Sequence, residues 1–407
     1  MHSKRNINLL LIVQFVSSFY MVNVIQTLYF QNKGIKLHQI GIILAVYQIT
    51  KSILELPTGI IADKYGKKIS SLIGFILFEV FLLICYLSSN LQWFVIAAFF
   101  QGISYTFLSG ALDALFIDVI IASGEKDNLD KYNSINRTLF YMAIGLSSLI
   151  GGGIALKSYK LVYTITILIQ ALPIILLIFL KEPIIYENNI IEHNKEKIRI
   201  TIVNKYLYNN RVIIYFLLID IFISISMMPI DSYYSNYLNR LGINEALIGI
   251  IICIQYTFSA FTGILSRKLA SKISIRFIIE IFPCLMILIF IVFSLTKNNF
   301  IAISSYLIGL VIFSLFAPQK YKILHSKMKS DYRATILSIQ SLVMAAISSI
   351  IQPIYGYMSE FIGMSNSFLF LLVISVVLLS ANNIIFKKDI YNLFKSKNTV
   401  NDVVNQL

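Results

Sequence analysis

The chain has 407 residues, of which 57% are hydrophobic and 13% are charged, and its formal net charge is +14 at pH 7. A soluble globular domain contains roughly 25% charged residues, so this composition excludes an ordinary soluble domain. The apolar residues also fall into blocks of about 20 residues, the length that a helix needs to cross the hydrocarbon core of a bilayer.

Twelve apolar blocks follow one another, and we predict that each forms a transmembrane helix, because a helix satisfies its own backbone hydrogen bonds. Block 1 follows Lys4 and Arg5 as a signal peptide would, but it is too long for one and lacks a small-residue cleavage site, so we interpret it as a retained helix. The blocks span 7–30, 38–62, 68–88, 91–118, 131–156, 160–180, 211–238, 246–266, 273–296, 299–319, 334–358 and 365–386.

One long polar stretch follows block 6 and divides the chain into halves of six blocks. We expect an N-terminal six-helix bundle (1–180), a cytoplasmic central loop (181–210), a C-terminal six-helix bundle (211–390) and a cytoplasmic tail (391–407). The fold class is therefore an all-α membrane protein with twelve transmembrane helices in two bundles.

The placement of basic residues predicts the orientation. If both termini are cytoplasmic, 27 of the 34 Lys and Arg residues lie in inner segments and six in outer loops, as the positive-inside rule requires. The positive charge then faces anionic lipid headgroups, and no nucleic-acid partner is needed to explain it. The frequent Ile, Lys and Asn suggest an AT-rich bacterial genome, so we expect a multi-pass protein of the bacterial cytoplasmic membrane.

The two halves resemble each other in sequence. Residues 58–70 (TGIIADKYGKKIS) and 262–274 (TGILSRKLASKIS) share seven of thirteen positions. Gly41 and Gly249 match at an offset of 208 residues, and the same offset places Asn23 opposite Asp231. Repeated halves with a solute site between them are a known transporter architecture, so the repeat predicts two pseudo-symmetric bundles.

The most specific motif lies between blocks 2 and 3 and reads Gly59-Ile-Ile-Ala-Asp63-Lys-Tyr-Gly66-Lys67-Lys68, preceded by Glu55-Leu-Pro57-Thr58. It resembles the signature of the major facilitator superfamily, and the approach to it resembles that of the drug–proton antiporter branch. In the second copy, Arg267 and Ala270 replace the aspartate and the second glycine.

The resemblance implies that this motif latches the two halves together in the outward-open state, with roles for Gly59, Asp63, Gly66, Lys67 and Lys68. We expect Gly59 to allow close helix approach and Gly66 to allow a tight turn. Asp63 is expected to accept hydrogen bonds from a helix N-terminus. Asp118, at the inner end of block 4, is the expected carboxylate partner.

Two departures weaken the antiporter resemblance. Drug exporters often carry Arg-x-x-Gln-Gly in the fourth helix, whereas this chain has Ala98 before Gln101-Gly102. Block 5 has a glycine run ending in Gly151-Gly152-Gly153, without the proline of the exporters. Small residues at such spacing still favour tight helix packing.

Ionisable residues inside a bilayer cost several kcal/mol, so each is a candidate for proton or substrate coupling. Lys51 and Glu55 are four residues apart and are expected to neutralise each other, and Arg137 is an expected counter-ion of Asp113. Each residue alone is equally compatible with a structural ion pair. Asp113 and Asp231 are preferred, then Glu79, and the full set is Lys51, Glu55, Glu79, Asp113, Arg137, Asp220, Asp231 and Glu280.

Polar and aromatic side chains within the blocks are candidates for lining a substrate cavity, although interface belts and packing account for many aromatic residues. We select Asn23, Tyr47, Gln101, Tyr105, Tyr141, Tyr234 and Tyr256.

Enzymatic function is not predicted, because the four histidines and three cysteines have no metal-ligand or redox spacing. No cofactor is expected, and no nucleotide-binding loop is present in the sequence. We therefore expect a monomeric secondary transporter that exports a small amphipathic solute by proton antiport. A nutrient importer or a lipid flippase of the same fold is the alternative, and a receptor or scaffold that has lost transport is a remoter one.

Overall fold

The computed structural model describes residues 2–182, 200–269 and 277–390. Within these ranges the chain is helical and contains no strand. Eleven helices are long and apolar enough to cross a membrane, and the shorter apolar helix Phe282–Leu295 follows a π-turn at Phe277–Ile281. The predicted all-α class with twelve apolar segments is confirmed.

Blocks 1 to 6 form eight helices, because blocks 1 and 4 are each divided in two. A short 3₁₀ segment, Met21–Val24, lies within block 1. The helices are α1 (His2–Ser18), α2 (Gln26–Asn32), α3 (Leu37–Tyr65), α4 (Lys67–Leu87), α5 (Leu91–Leu108), α6 (Ala111–Ala122), α7 (Leu129–Ala155) and α8 (Tyr159–Ile178).

The later helices are α9 (Ile200–Asn209), α10 (Arg211–Arg240), α11 (Glu245–Leu269), α12 (Phe282–Leu295), α13 (Asn299–Lys327), α14 (Ser330–Phe361) and α15 (Met364–Ile385). Part of the expected central loop is thus the helix α9. The helix α10 runs through Pro229 without interruption. Residues 183–199 of the central loop, Ala270 and the tail 391–407 lie outside the described residues, as does the side chain of Arg267.

Blocks 10 and 11 were predicted too short. The helix α13 continues eight residues beyond the expected end at 319, and α14 begins at Ser330. Hydropathy fails there because Lys320, Lys322 and Lys327 lower the local average, although the backbone remains helical. This difference matters for Lys320, because block 10 was expected to end at 319 and α13 includes Lys320.

The chain divides into two compact units. Unit 1 contains residues 1–188, 235–257 and 352–357, and unit 2 contains 189–234, 258–351 and 358–407. Segments from the second half of the sequence therefore pack within unit 1, so the units differ from the expected halves.

Hydrogen bonds within unit 1 join these segments to the first half of the chain. The Ser235 hydroxyl donates to the Val24 carbonyl at 2.9 Å, and Tyr159 donates to the Glu245 carboxylate at 2.6 Å. The helices α7 and α11 also meet at glycines, since a Cβ on Gly152 would lie 2.4 Å from a carbonyl oxygen of α11. The expected tight packing by the glycine run is therefore realised at this residue.

Candidate functional site

A cavity of about 510 Å³ lies within unit 1. Six of the apolar blocks contribute to its wall, and the lining side chains are mostly aromatic, aliphatic, hydroxyl or amide groups. The lining residues are Gln14, Ser17, Ser18, Tyr20, Asn23, Phe75, Phe78, Tyr105, Leu108, Ser109, Gly110, Leu112, Asp113, Phe140, Ile144, Gln170 and Tyr256.

The interruption of block 1 forms one side of this cavity. A helix end leaves backbone carbonyls without intrahelical partners, and within a membrane there is no water to satisfy them. Gln170 of α8 meets this need, because its Nε2 lies 3.2, 3.2 and 3.1 Å from the carbonyl oxygens of Val16, Ser17 and Phe19. The interruption is thereby stabilised, and Asn23 in the 3₁₀ segment lines the cavity.

Gln170 was not among the predicted site residues, although the sequence around it carries a signal. It is an amide in the middle of the otherwise apolar helix α8, and its side chain is 1% exposed. Gly151 supports the same interruption, because a Cβ there would lie 2.6 Å from the Met21 carbonyl oxygen. The helix α7 can therefore approach the 3₁₀ segment closely only with glycine at this position.

The interruption of block 4 positions the cavity's carboxylate. The helix α5 ends at Leu108, and Gly110 has a φ of +78°, a conformation that residues with side chains rarely adopt. The helix α6 then begins at Ala111, which places Asp113 in its first turn. The partial positive charge of a helix N-terminus stabilises a carboxylate there. Asp113 is exposed to the cavity, and among the described lining residues it alone carries a charge.

Four predicted residues meet at this cavity, namely Asn23, Tyr105, Asp113 and Tyr256. Tyr47 and Tyr141 do not line the cavity. Each lies beside a lining ring, because the Tyr47–Tyr105 and Tyr141–Tyr256 centroid distances are both 6.3 Å. Gln101 and Glu79 do not line it. Glu79 has a buried Oε1 without a hydrogen-bond partner in the described part of the chain.

Two expected ion pairs are absent from the described residues. Lys51 does not pair with Glu55, because its ammonium lies 4.1 Å from the centroid of the Tyr105 ring instead and Glu55 is exposed. Arg137 does not pair with Asp113, and both side chains are exposed. Asp113 therefore has no protein counter-ion within the described chain.

The motif between α3 and α4 forms a compact turn. Gly66 has a φ of +97°, as a tight turn at glycine requires, and Lys67 forms an ion pair with Asp118. Asp63 is exposed and has no hydrogen bond or ion pair with the described residues. A Cβ on Gly59 would meet no described atom within 4 Å, so the described residues show no close helix approach at this position.

Glu182, which was not among the predicted site residues, contacts this turn. Its Oε1 accepts hydrogen bonds from the backbone N–H groups of Lys67 at 2.9 Å and Lys68 at 3.1 Å. These are free donors at the N-terminus of α4, where a carboxylate is favoured. In return, the Lys68 ammonium donates to the Leu180 carbonyl at 2.7 Å, just beyond the end of α8. Glu182 and Lys68 thus cap the two helices reciprocally.

Unit 2 holds the remaining candidates. Asp220 of α10 forms an ion pair with Lys320 of α13. Asp231 is exposed, Glu280 lies in the π-turn before α12, and the Tyr234 ring stacks on Tyr306 with a centroid distance of 5.4 Å. Asp220 therefore has an ion-pair partner that is buried inside the unit.

Comparison with known proteins places the chain in a family. The model of the Major Facilitator Superfamily matches residues 9–353. An uncharacterized MFS-type transporter, YxaM of Bacillus subtilis, is 24% identical over 364 residues, which cover 86% of this chain and 88% of that protein. The uncharacterized transporter BU466 of Buchnera aphidicola is 24% identical over 74% of this chain and 76% of its own.

Solved structures share the fold at low sequence identity. The nucleoside transporter NupG matches with a TM-score of 0.77 at 15% identity, covering 95% of this chain and 100% of that chain. A D-xylose–proton symporter matches with a TM-score of 0.73 at 14% identity, covering 93% and 96%. Together with the family match over most of its length, these similarities establish that the chain belongs to the Major Facilitator Superfamily and is a multi-pass membrane transporter.

Proposed function

We propose that this transporter binds a small amphipathic organic cation in the cavity of unit 1 and exports it by alternating access in exchange for protons. The proposal rests on the environment of Asp113. Its carboxylate has no protein counter-ion among the described residues, and the rest of the lining is uncharged. A charge inside a membrane protein needs a partner, and a cationic substrate supplies one.

The aromatic lining supports the same class of substrate. Phe75, Phe78, Tyr105, Phe140 and Tyr256 present rings to the cavity, and aromatic faces attract organic cations by cation–π interaction. A volume of about 510 Å³ also falls within the range of sites that hold ligands of drug size, roughly 300–1,000 Å³. The solute would therefore be held by its charge at Asp113 and by its apolar part against the rings.

The driving force is inferred from the sequence. The chain has no nucleotide-binding loop, so an ion gradient is the available source of energy, and the proton is the expected coupling ion. We place the protein in the cytoplasmic membrane with both termini inside, because most of its basic residues then lie on the cytoplasmic side. We propose that it works as a monomer.

The test uses purified protein in proteoliposomes with an imposed pH gradient and a fluorescent lipophilic cation. Asp113→Asn is expected to raise the cation concentration required for half-saturation roughly ten- to hundredfold. The reason is that a hydrogen bond to a charged group contributes about 1.5–3 kcal/mol. Asp127→Asn removes the same charge from an exposed 3₁₀ turn outside the cavity and serves as the matched control. No cation transport by the wild type, or equal half-saturation in Asp113→Asn and the wild type, would refute the proposal.

Uptake of a small polar nutrient is the second candidate, and the cavity's uncharged polar groups favour it. Nine lining side chains offer hydroxyl or amide groups for a neutral solute, namely Gln14, Ser17, Ser18, Tyr20, Asn23, Tyr105, Ser109, Gln170 and Tyr256. A neutral solute does not need the charge of Asp113. Proton-driven uptake of such a solute that persists in Asp113→Asn would favour this function over cation export.

A further inference from the structure

Unit 2 contains a buried ionic cluster that the sequence did not predict. Lys320 lies inside α13 with 2% of its side chain exposed, and its ammonium pairs with the carboxylate of Asp220, whose side chain is 12% exposed. Gln340 of α14 donates a hydrogen bond from Nε2 to Asp220 Oδ2 at 2.8 Å. Three helices thus meet at one acid, one amine and one amide.

The surroundings of the cluster are mainly aromatic. The Lys320 ammonium lies 4.4 Å from the centroid of the Tyr321 ring and 5.7 Å from that of Phe316. Tyr321 is the third titratable group facing the pair, and the imidazole of His325 lies behind it with a centroid distance of 6.3 Å. Neither Phe316 nor Gln340 titrates. Among the described contacts of the cluster, the positive charge next to the Asp220 carboxylate is therefore that of Lys320.

The charge of the pair depends on whether Asp220 holds a proton. With the acid ionised and the amine charged, the pair has no net charge. When a proton from the aqueous phase binds the Asp220 carboxylate, the Lys320 ammonium stays charged and the site carries one positive charge. An unbalanced charge in a dry interior costs several kcal/mol, so protonation is favoured only when water reaches the site. Proton binding is in this way linked to the opening of unit 2 to water.

Gln340 can serve both forms of the acid. Its Nε2 donates to the ionised carboxylate, and a half-turn of the amide would present Oε1 to accept the O–H of the protonated acid. Neither form of Asp220 then lacks a hydrogen bond. A purely structural ion pair does not require a partner with both capacities.

We propose that Asp220 takes up and releases the coupled proton and that Lys320 returns it to the ionised form. This assignment rests on the proposed proton antiport. It separates the two tasks in space, because the substrate's charge is met at Asp113 in unit 1 while the proton is carried in unit 2.

The experiment compares two modes of transport in proteoliposomes, accumulation driven by a pH gradient and exchange of labelled for unlabelled substrate without a gradient. For one coupled proton, accumulation by the wild type rises about tenfold per unit of pH gradient. Asp220→Asn is expected to lose this dependence and to keep exchange near the wild-type rate. Asp389→Asn, which breaks the partly exposed pair with Arg211, is the control and should keep both modes of transport.

A second variant guards against misfolding, because removing one partner of a buried pair leaves the other charge unbalanced. Asp220→Asn/Lys320→Gln leaves no charge and should also exchange without accumulating. Gradient-driven accumulation by either variant would overturn the proposal. Equal loss of exchange and accumulation in the folded double variant would also overturn it, since the cluster would then be structural or part of the substrate site.

A readout without substrate keeps this proposal separate from the proposed function. In an infrared pH titration of the purified protein, the wild type should show a carboxylic acid C=O band that Asp220→Asn lacks and Asp389→Asn retains. If no cation is transported but this band is present, the substrate assignment fails alone. If cations are transported and the band is unchanged in Asp220→Asn, the proton assignment fails alone.

Discussion

The contact between α7 and α11 in unit 1 allows a quantitative test of alternating access. A Cβ on Gly249 would lie 2.4 Å from the Ser148 carbonyl oxygen and 3.2 Å from the Cα of Gly152. Contacts shorter than 3.0 Å essentially do not occur for real Cβ atoms, so Gly249→Ala must separate the two backbones by about 0.6 Å or more. Overpacking of this kind costs about 1–3 kcal/mol.

The cost applies only while the two helices are in contact. We therefore expect Gly249→Ala to shift the equilibrium away from the contact state by roughly 5- to 150-fold. Gly153→Ala is a matched control on α7, outside the contact, because a Cβ there meets no described atom within 4 Å. Both substitutions replace glycine by alanine in a helix, so the gain in helix propensity is similar in the two variants.

Spin labels at Leu156 and Leu247, both exposed, would report the separation of the two helices by pulsed electron resonance in a background without the three native cysteines. The wild type and Gly153→Ala should share one distance distribution, and Gly249→Ala should move population to longer distances. An unchanged distribution in Gly249→Ala would refute the reasoning, because the glycine contact would then not contribute to the equilibrium.

Two further substitutions test the groups that sequence analysis missed. Gln170→Leu should lower the free energy of unfolding by about 1–3 kcal/mol, since it leaves carbonyls of the interrupted block 1 unpaired. Thermal unfolding in detergent measures this, and an unfolding temperature equal to that of the wild type would contradict it. Glu182→Gln should cost about 0.5–2 kcal/mol as a weakened helix cap, and its unfolding temperature should lie below that of Asp127→Asn; an equal temperature would exclude the cap as a stabilising contact.

Hydropathy predicted all twelve segments because crossing a bilayer demands length and apolarity, which are local properties of a sequence. The interruption at Ser109 and Gly110 was missed, although a Ser-Gly pair is a recognised turn signal, since the residues on both sides remain apolar. The positive φ of Gly110 that places Asp113 at a helix N-terminus becomes visible only in the folded backbone.

Only part of the candidate site could be predicted from the sequence, because only some of its residues are recognisable from their local sequence. Asp113 and Tyr105 could be selected because polar and aromatic side chains inside apolar blocks are conspicuous. Lys320 could not, because its partner Asp220 lies one hundred positions earlier in the chain. A lysine beside a polar loop resembles a topological anchor until the three-dimensional fold supplies its carboxylate.

The reciprocal caps formed by Glu182 and Lys68 bear on how the protein can be divided for expression as two polypeptides. Glu182 belongs by sequence to the central loop, yet its hydrogen bonds hold the start of α4 in the first half. A first fragment that stops at Leu180 would leave those N–H groups without their acceptor, whereas one that extends past Glu182 keeps it. If the chain is to be expressed as two complementing fragments, it should therefore be divided inside the polar stretch, beyond Glu182. Division at the end of the last apolar helix of the first half would remove the cap.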